Sequence, residues 1–551
     1  MGDHEPSKEE MKSQLHPVAL VPVLLCVPGG TDQDVFQPVP RTTQSVPADA
    51  GKLIPGDSVA VLQIPDLGAL EMEVKNIAEA FSLGTGAMVD LSLLLDGTGL
   101  TPDELDKSKS GVVSFSMGPA GPAPVFIVPT LDASISAHSA LPSTVSGDYL
   151  GLGMTGPPTL GDATPALGAE MPAGDLALRV DLKTLLEPMV PMVEMYLDPD
   201  FLASIEPSLS GGDAEALAPV LSWAKELVNA SRNLELGLSL DDGALRLDLV
   251  LQLEEDIDSI LSPGSANPFD LARMIPMENP TVQAISHGID WKGFMDWYAT
   301  MFDQAVAQLP LEQRDAFKEV MQGSLGLYEG LGGIGYAMDF TDNGMRGAGV
   351  FVSADPEKFI ADYLSYLEGV SGLTPFWTSE VGDPIEIDGM QFATFTMRFD
   401  IAAMRPSDQP PDPQSEQMQQ MFDGFWGKDG MRTTIGASEN LVVMTIGDDT
   451  ESLTSGIVDA VRSGKRYSNG VLETVPQNLH KRPTALMTLE LRTLIRHVFG
   501  LAADLNPTVP EIPAGGPIPI WFSIAVDGPR YELQAHADLA GIAEVVRAMT
   551  R

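Results

Sequence analysis

The stretch that most constrains this chain is Leu238 to Leu253, LSLDDGALRLDLVLQL, in which leucine alternates with other residues on both sides of Asp242-Gly243. A period of two puts alternate side chains on one face of a strand. A tight turn between right-twisted strands needs positive φ at its centre, which glycine tolerates freely and aspartate or asparagine tolerate better than most. The stretch therefore predicts a hairpin with one leucine face. The same Asp-Gly or Asn-Gly cue recurs at Asn343-Gly344, Asp388-Gly389, Asp429-Gly430 and Asp527-Gly528, and predicts four related hairpins.

Self-comparison places that hairpin inside a longer recurring pattern. A strand handing over to an amphipathic helix is predicted from Ser58, Asp175, Thr281 and Thr484. Each is followed by a strand pair, beginning at Ser110, in the Leu238 hairpin, at Gly332 and at Ile518. An acidic residue then starts another helix: Asp132, Glu254 to Asp256, Asp355 and Asp538. Aspartate at a helix N-cap accepts hydrogen bonds from the exposed amides of the first turn.

The expected fold class is α+β: four degenerate strand-helix-hairpin-helix repeats forming antiparallel sheets with helices packed on one face. The expected partition is an export signal over 1–27, a tether over 28–52, and units over 53–156, 173–261, 277–475 and 478–551. The third unit is read as extended by one extra hairpin and helix from Met431. Whether the units share one sheet is left open by the sequence.

Acidity narrows the partners. Against 32 Lys and Arg stand 77 Asp and Glu, a net charge of -45. Such a chain repels a phosphate backbone instead of releasing its counterions, so nucleic acid is excluded as an expected partner. Lys12 followed by the apolar run Pro17 to Val27 and a Gly, Pro, Thr and Gln-rich segment resembles a bacterial export signal starting at Met11. Cys26, the single cysteine, stands where a lipoprotein signal carries its lipidated residue, although Leu24 and Leu25 replace the small residues usual there. No other run reaches the roughly 18 apolar residues that cross a bilayer. The expectation is an extracytoplasmic protein that meets membrane only through an N-terminal lipid anchor.

Motifs that could carry chemistry fail on context. Gly330 to Gly335 has dinucleotide-loop spacing, but a helical pattern precedes it and a strand follows, the reverse of the order that puts pyrophosphate at a helix N-terminus. Gly56-Asp57-Ser58 resembles the first block of Gly-Asp-Ser hydrolases, yet Ser58 opens its strand where the catalytic serine should end one. The seven histidines show no metal-ligand spacing, and Asp96 to Asp106 does not match a calcium loop. No enzyme class and no cofactor is expected.

What remains is the apolar content of two helical stretches. Met189, Met192 and Met195 recur beside Pro188 and Pro191, and Trp291, Phe294, Trp297, Tyr298 and Met301 form an aromatic stripe. Such stripes fill cores or line sites for variable apolar ligands. The expected function is a non-enzymatic carrier or sensor in the cell envelope that binds a lipid or other apolar ligand through Met189, Met192, Met195, Phe294, Trp297 and Met301. The alternatives are an acidic repeat scaffold for an envelope protein partner or for cations, and an enzyme of unrecognised class.

Overall fold

The computed structural model describes residues 50–81, 95, 97–118, 121–161, 171–187, 226–241, 243–254, 269–287, 289–291, 326, 327, 330–341, 343–373, 377–401, 413–475, 483–505, 509, 510 and 512–549. Among them the strands are β1 (Ser58–Ile64), β2 (Gly111–Gly118), β3 (Gly121–Pro129), β4 (Ser143–Ser146), β5 (Tyr149–Gly153), β6 (Leu176–Asp181), β7 (Ser231–Asp241), β8 (Ala244–Leu253), β9 (Val282–Ser286), β10 (Leu331–Thr341), β11 (Gly344–Ser353), β12 (Trp377–Val381), β13 (Ile385–Ile387), β14 (Met390–Phe399), β15 (Met431–Ser438), β16 (Leu441–Ile446), β17 (Ala485–Glu490), β18 (Pro519–Asp527) and β19 (Arg530–Asp538). The α-helices are α1 (Leu67–Ala80), α2 (Leu182–Leu186), α3 (Phe269–Ala272), α4 (Pro356–Leu373), α5 (Pro413–Trp426), α6 (Thr450–Ser463), α7 (Gly470–Thr474), α8 (Leu491–Leu505) and α9 (Leu539–Met549).

All of these strands join one 19-stranded sheet, in which every pairing is antiparallel. Followed edge to edge, the ladder runs β4-β5-β3-β2-β1-β6-β7-β8-β19-β18-β17-β9-β10-β11-β16-β15-β14. The strands β12 and β13 lie end to end along the outer edge of β14. The chain leaves the sheet after β8, builds β9 to β16 further along, and returns to insert β17 to β19 between them.

Turn chemistry explains four of the five expected hairpins. Gly243, Gly344, Gly389 and Gly528 all have positive φ, and each separates paired strands. The fifth expectation is corrected: Gly430 (φ 86°) turns α5 into β15, while the β15–β16 hairpin closes at Glu439, itself at φ 57°. The hairpin β4–β5, turned at Gly147, lies where no strand was expected. Aspartate caps form as expected at Asp355 and Asp538, which accept from the Lys358 and Gly541 amides, and Asp66 and Asp181 likewise accept from Ala69 and Thr184. The helix expected after Asp132 is a short 3-10 turn.

Strand register defines two faces. The front carries Ile334, Met338, Phe351, Phe395, Ile435 and Val442, which pack with Phe359 and Leu367 of α4 and Trp426 of α5. The back carries Ala337, Ala348, Val350, Phe392 and Val443, which pack with Leu271 of α3 and Leu453, Ile457 and Val458 of α6. Helices therefore cover both faces between β10 and β14, which corrects the expected single helical layer. The physical reason is legible in composition: AVILMF residues stand at both parities of β11 and β16, and a strand apolar on both sides needs cover on both sides. The glycines Gly332, Gly333 and Gly335 lie within β10, where a Cβ on Gly335 would lie 2.7 Å from the α3 backbone.

Candidate functional site

The Leu238–Leu253 hairpin lies near the middle of the sheet, and its alternation persists across its neighbours. On the front face Leu234 pairs with Leu251, Leu236 with Leu249, Leu238 with Leu247 and Leu240 with Leu245. The carpet continues onto β6, where Leu178 opposes Leu236, and onto β19, where Tyr531, Leu533 and Ala535 oppose Leu251, Leu249 and Leu247. Beyond β19 it reaches Ile520, Phe522 and Ile524, then Met487 and Leu489. At about 3.4 Å per residue and 4.8 Å per strand, the leucine-rich part from β6 to β19 measures roughly 20 Å by 14 Å.

These side chains are not sealed. Leu234, Leu236, Leu238, Leu247, Leu249, Leu251 and Leu533 all retain partial solvent exposure, and Phe522 is 41% exposed. The helix α1 starts from β1 on this face, because Leu67 packs with Ile64, Leu150 and Leu152, and it contacts β7. The helix α9 starts beside the β7–β8 turn, where Ala540 donates its amide to the Gly243 carbonyl, and it packs against α1. On its other side α9 shares Ile542 and Val545 with Leu491, Ile495 and Phe499 of α8. Among the described residues, two helices from opposite flanks thus meet above a leucine floor whose side chains keep partial exposure.

The back of the same strands is polar and partly exposed, with Gln534 buried among its charged neighbours. Gln534 donates to Asp248, the Arg246 guanidinium stands 2.9 Å from Asp248, and Arg179 lies 3.7 Å from Glu235. Further along, Gln283, Thr488, Trp521 and Ser523 are buried at 0–1% exposure. They occupy adjacent back-face positions, since Gln283 opposes Thr488 and Thr488 opposes Trp521. Among the described residues, the amide of Gln283, the Thr488 and Ser523 hydroxyls and the Trp521 indole nitrogen have no hydrogen-bond partner. Leu472 and Val475, in and just after α7, close over Trp521 and Ile285.

Two partly buried histidines pack against aromatic rings. His536 stacks on Trp521 at 5.5 Å, and burial pushes its pKa below the ordinary value, Arg246 assisting and Asp538 opposing. His497 of α8 stacks on Phe340 at 4.4 Å and meets Phe425 edge-on; its pKa is also lowered by burial, against the pull of Asp339. Among the described residues no group of three or more His, Cys, Asp or Glu gathers as a metal site. Chemically the floor offers apolar contact area and a single phenolic hydroxyl from Tyr531, while the back-face charges are neutralised in pairs.

Met189, Met192, Met195, Phe294, Trp297, Met301 and Cys26 lie outside the described residues. Trp291, the first residue of the expected aromatic stripe, packs into the front core with Leu327 and Ile334. The sequence reading treated the leucine hairpin as architecture only and looked for ligand contacts on helix stripes. The signal that could have found the floor is the choice of leucine itself. Strands that only need packing favour stiff β-branched residues, whereas β7 and β8 place leucine at nine alternating positions. Among the described residues no helix is long and apolar enough to cross a membrane. Comparison of the chain with protein-family models, with curated proteins and with solved structures finds no significant match.

Proposed function

We propose that this chain is a non-enzymatic carrier of an apolar ligand, exported to an extracytoplasmic compartment and held there, where Cys26 is lipidated, by an N-terminal anchor. The observation that carries the reading is the inversion across the central strands. An amphipathic sheet normally buries its apolar face and wets its polar one. Here Gln534, Ser523 and Thr488 on the back are buried while Leu249, Leu533 and Phe522 on the front keep contact with solvent. An incompletely covered apolar surface of this size is costly unless something occupies it, and an apolar lining with few polar groups is what small-molecule sites use.

We read the described strands as five copies of one three-strand unit, one more than the sequence suggests. The added copy is β14-α5-β15-β16-α6. Support comes from the pairing rule at unit borders. First strand meets first strand at β1–β6 and β17–β9, and third meets third at β8–β19 and β11–β16. An alternation of that kind lets each unit cover its neighbour's edge and so removes the exposed edges that invite aggregation. Export and lipidation rest on the leader alone, and intact-mass determination of the mature N-terminus tests them. A mass that retains Met1 would contradict export.

The carrier reading is tested by extracting the purified full-length chain with organic solvent and by offering the stripped chain a fluorescent acyl probe. The expected result is a co-purifying apolar compound, or saturable uptake by the stripped chain. Neither compound nor uptake would overturn it.

A further inference from the structure

We infer that the ligand of the leucine floor is a long-chain acyl lipid whose headgroup bears no net negative charge; this inference rests on the carrier reading above. The first support is the chemistry of the floor. Leu236, Leu247, Leu249 and Leu533 form its centre, and from Leu234 to Leu240 on β7 and from Leu245 to Leu253 on β8 every front-face position is leucine. Rigid polycyclic or aromatic ligands are oriented by a few placed polar groups, and the centre of this floor supplies none. Leucine side chains lack β-branching and are freer to reorient than valine or isoleucine, which suits flexible chains of variable length.

Dimension points the same way. The run from Leu234 to Leu240 spans about 20 Å along the strand, which matches a long extended acyl chain, and the roughly 14 Å from β6 to β19 admits two chains side by side.

Charge selects the headgroup. At the β7–β8 turn end of the floor Asp175 accepts from the Leu240 amide and Asp538 caps α9, opposite Ala244. Arg492, the buried cation on the adjoining helix, is already engaged by Glu544 and by the Pro513 and Gly516 carbonyls. With a net charge of -45 over the whole chain, a phosphatidylglycerol or fatty carboxylate headgroup approaches a surface of its own sign, which slows association and weakens binding at low salt. An uncharged or zwitterionic headgroup meets no such barrier.

The experiment compares three fluorescently labelled lipids with identical acyl chains: a diacylglycerol, a phosphatidylcholine and a phosphatidylglycerol. Each is titrated into the lipid-stripped full-length chain at 20 mM and at 500 mM salt, salts chosen so that screening changes from about 20 Å to about 4 Å. The expected result is binding of the first two, with phosphatidylglycerol on the order of tenfold weaker at low salt and the gap narrowing at high salt. Equal or tighter binding of phosphatidylglycerol at low salt, or a gap insensitive to salt, would overturn the headgroup inference and leave the carrier reading standing. Failure of all three lipids, with a control acyl-binding protein responding, would overturn the carrier reading itself.

Discussion

Replacing Leu249 and Leu152 by alanine, one at a time, distinguishes a leucine that meets a ligand from one that meets protein. Leu152 is fully buried in the cluster that joins β5 to α1. Leu152→Ala forfeits the transfer free energy of the deleted carbons and leaves a cavity, together about 3–4 kcal/mol. Leu249 keeps part of its side chain in solvent. Removing about three carbons at ~0.8 kcal/mol each, discounted for the exposed share and without an enclosed void, costs ~1.5 kcal/mol in the ligand-free chain. The order reverses for binding. Leu249→Ala loses acyl contacts worth about 1 kcal/mol, roughly fivefold in Kd, while Leu152→Ala leaves affinity unchanged because it lies outside the floor. Urea unfolding of the ligand-free chain, followed by tryptophan fluorescence, reads the first pair of values, and titration with an acyl probe reads the second. Equal destabilisation by the two substitutions, with no change in probe affinity for Leu249→Ala, would refute the reasoning, since it would mean that the floor packs only against the protein.

The polar back face yields a prediction of opposite sign. Gln283→Met removes a buried amide that lacks partners and should stabilise the chain by about 1 kcal/mol; a comparable loss in urea midpoint would contradict it. Arg492→Met deprives the Pro513 and Gly516 carbonyls and Glu544 of their donor. It should cost about 3 kcal/mol, visible as a lowered Tm, and a Tm at the parent value would contradict it. Histidines 497 and 536 have depressed pKa values, so below their ordinary value of 6.5 the unfolded chain takes up protons that the fold resists. Stability therefore falls as pH drops from 7.5 toward 5.5, and His497→Phe with His536→Phe should flatten that slope; a rise in stability over the range would contradict the sign. Finally, Gly344 sits at φ 109° with a Cβ position 2.6 Å from the Gly427 amide, so Gly344→Ala should destabilise by about 2 kcal/mol or more in the same unfolding assay.

Much of the fold is written locally. The Asp-Gly and Asn-Gly turns and the aspartate caps depend on a few adjacent residues, and they were readable at Gly243, Gly344, Gly389, Gly528, Asp355 and Asp538. The turn at Gly430 misled because α5 ends at Trp426, only a few residues before it, and a glycine at positive φ serves a helix-to-strand turn as well as a hairpin. The order of units in the sheet was not readable, because it depends on pairings such as Asp248 with Gln534, which lie 286 residues apart. The two helical layers around β11 and β16 were in principle visible in strands apolar at both parities. The site was half visible: the alternation of leucine announced an apolar face, but whether that face would be sealed or left open is decided by where α1 and α9 meet, a property of tertiary packing.

The central claim is that acyl chains lie on the leucine floor. It is tested most directly by photocrosslinking the full-length chain to a phosphatidylcholine that carries a diazirine in its acyl chain, followed by peptide mapping. The account predicts labels on the peptides of β7, β8 and β19, at front-face positions such as Leu236, Leu247, Leu249 and Leu533, and loss of those labels on competition with unlabelled lipid. Labels confined to other surfaces, or labelling indifferent to competitor, would contradict it.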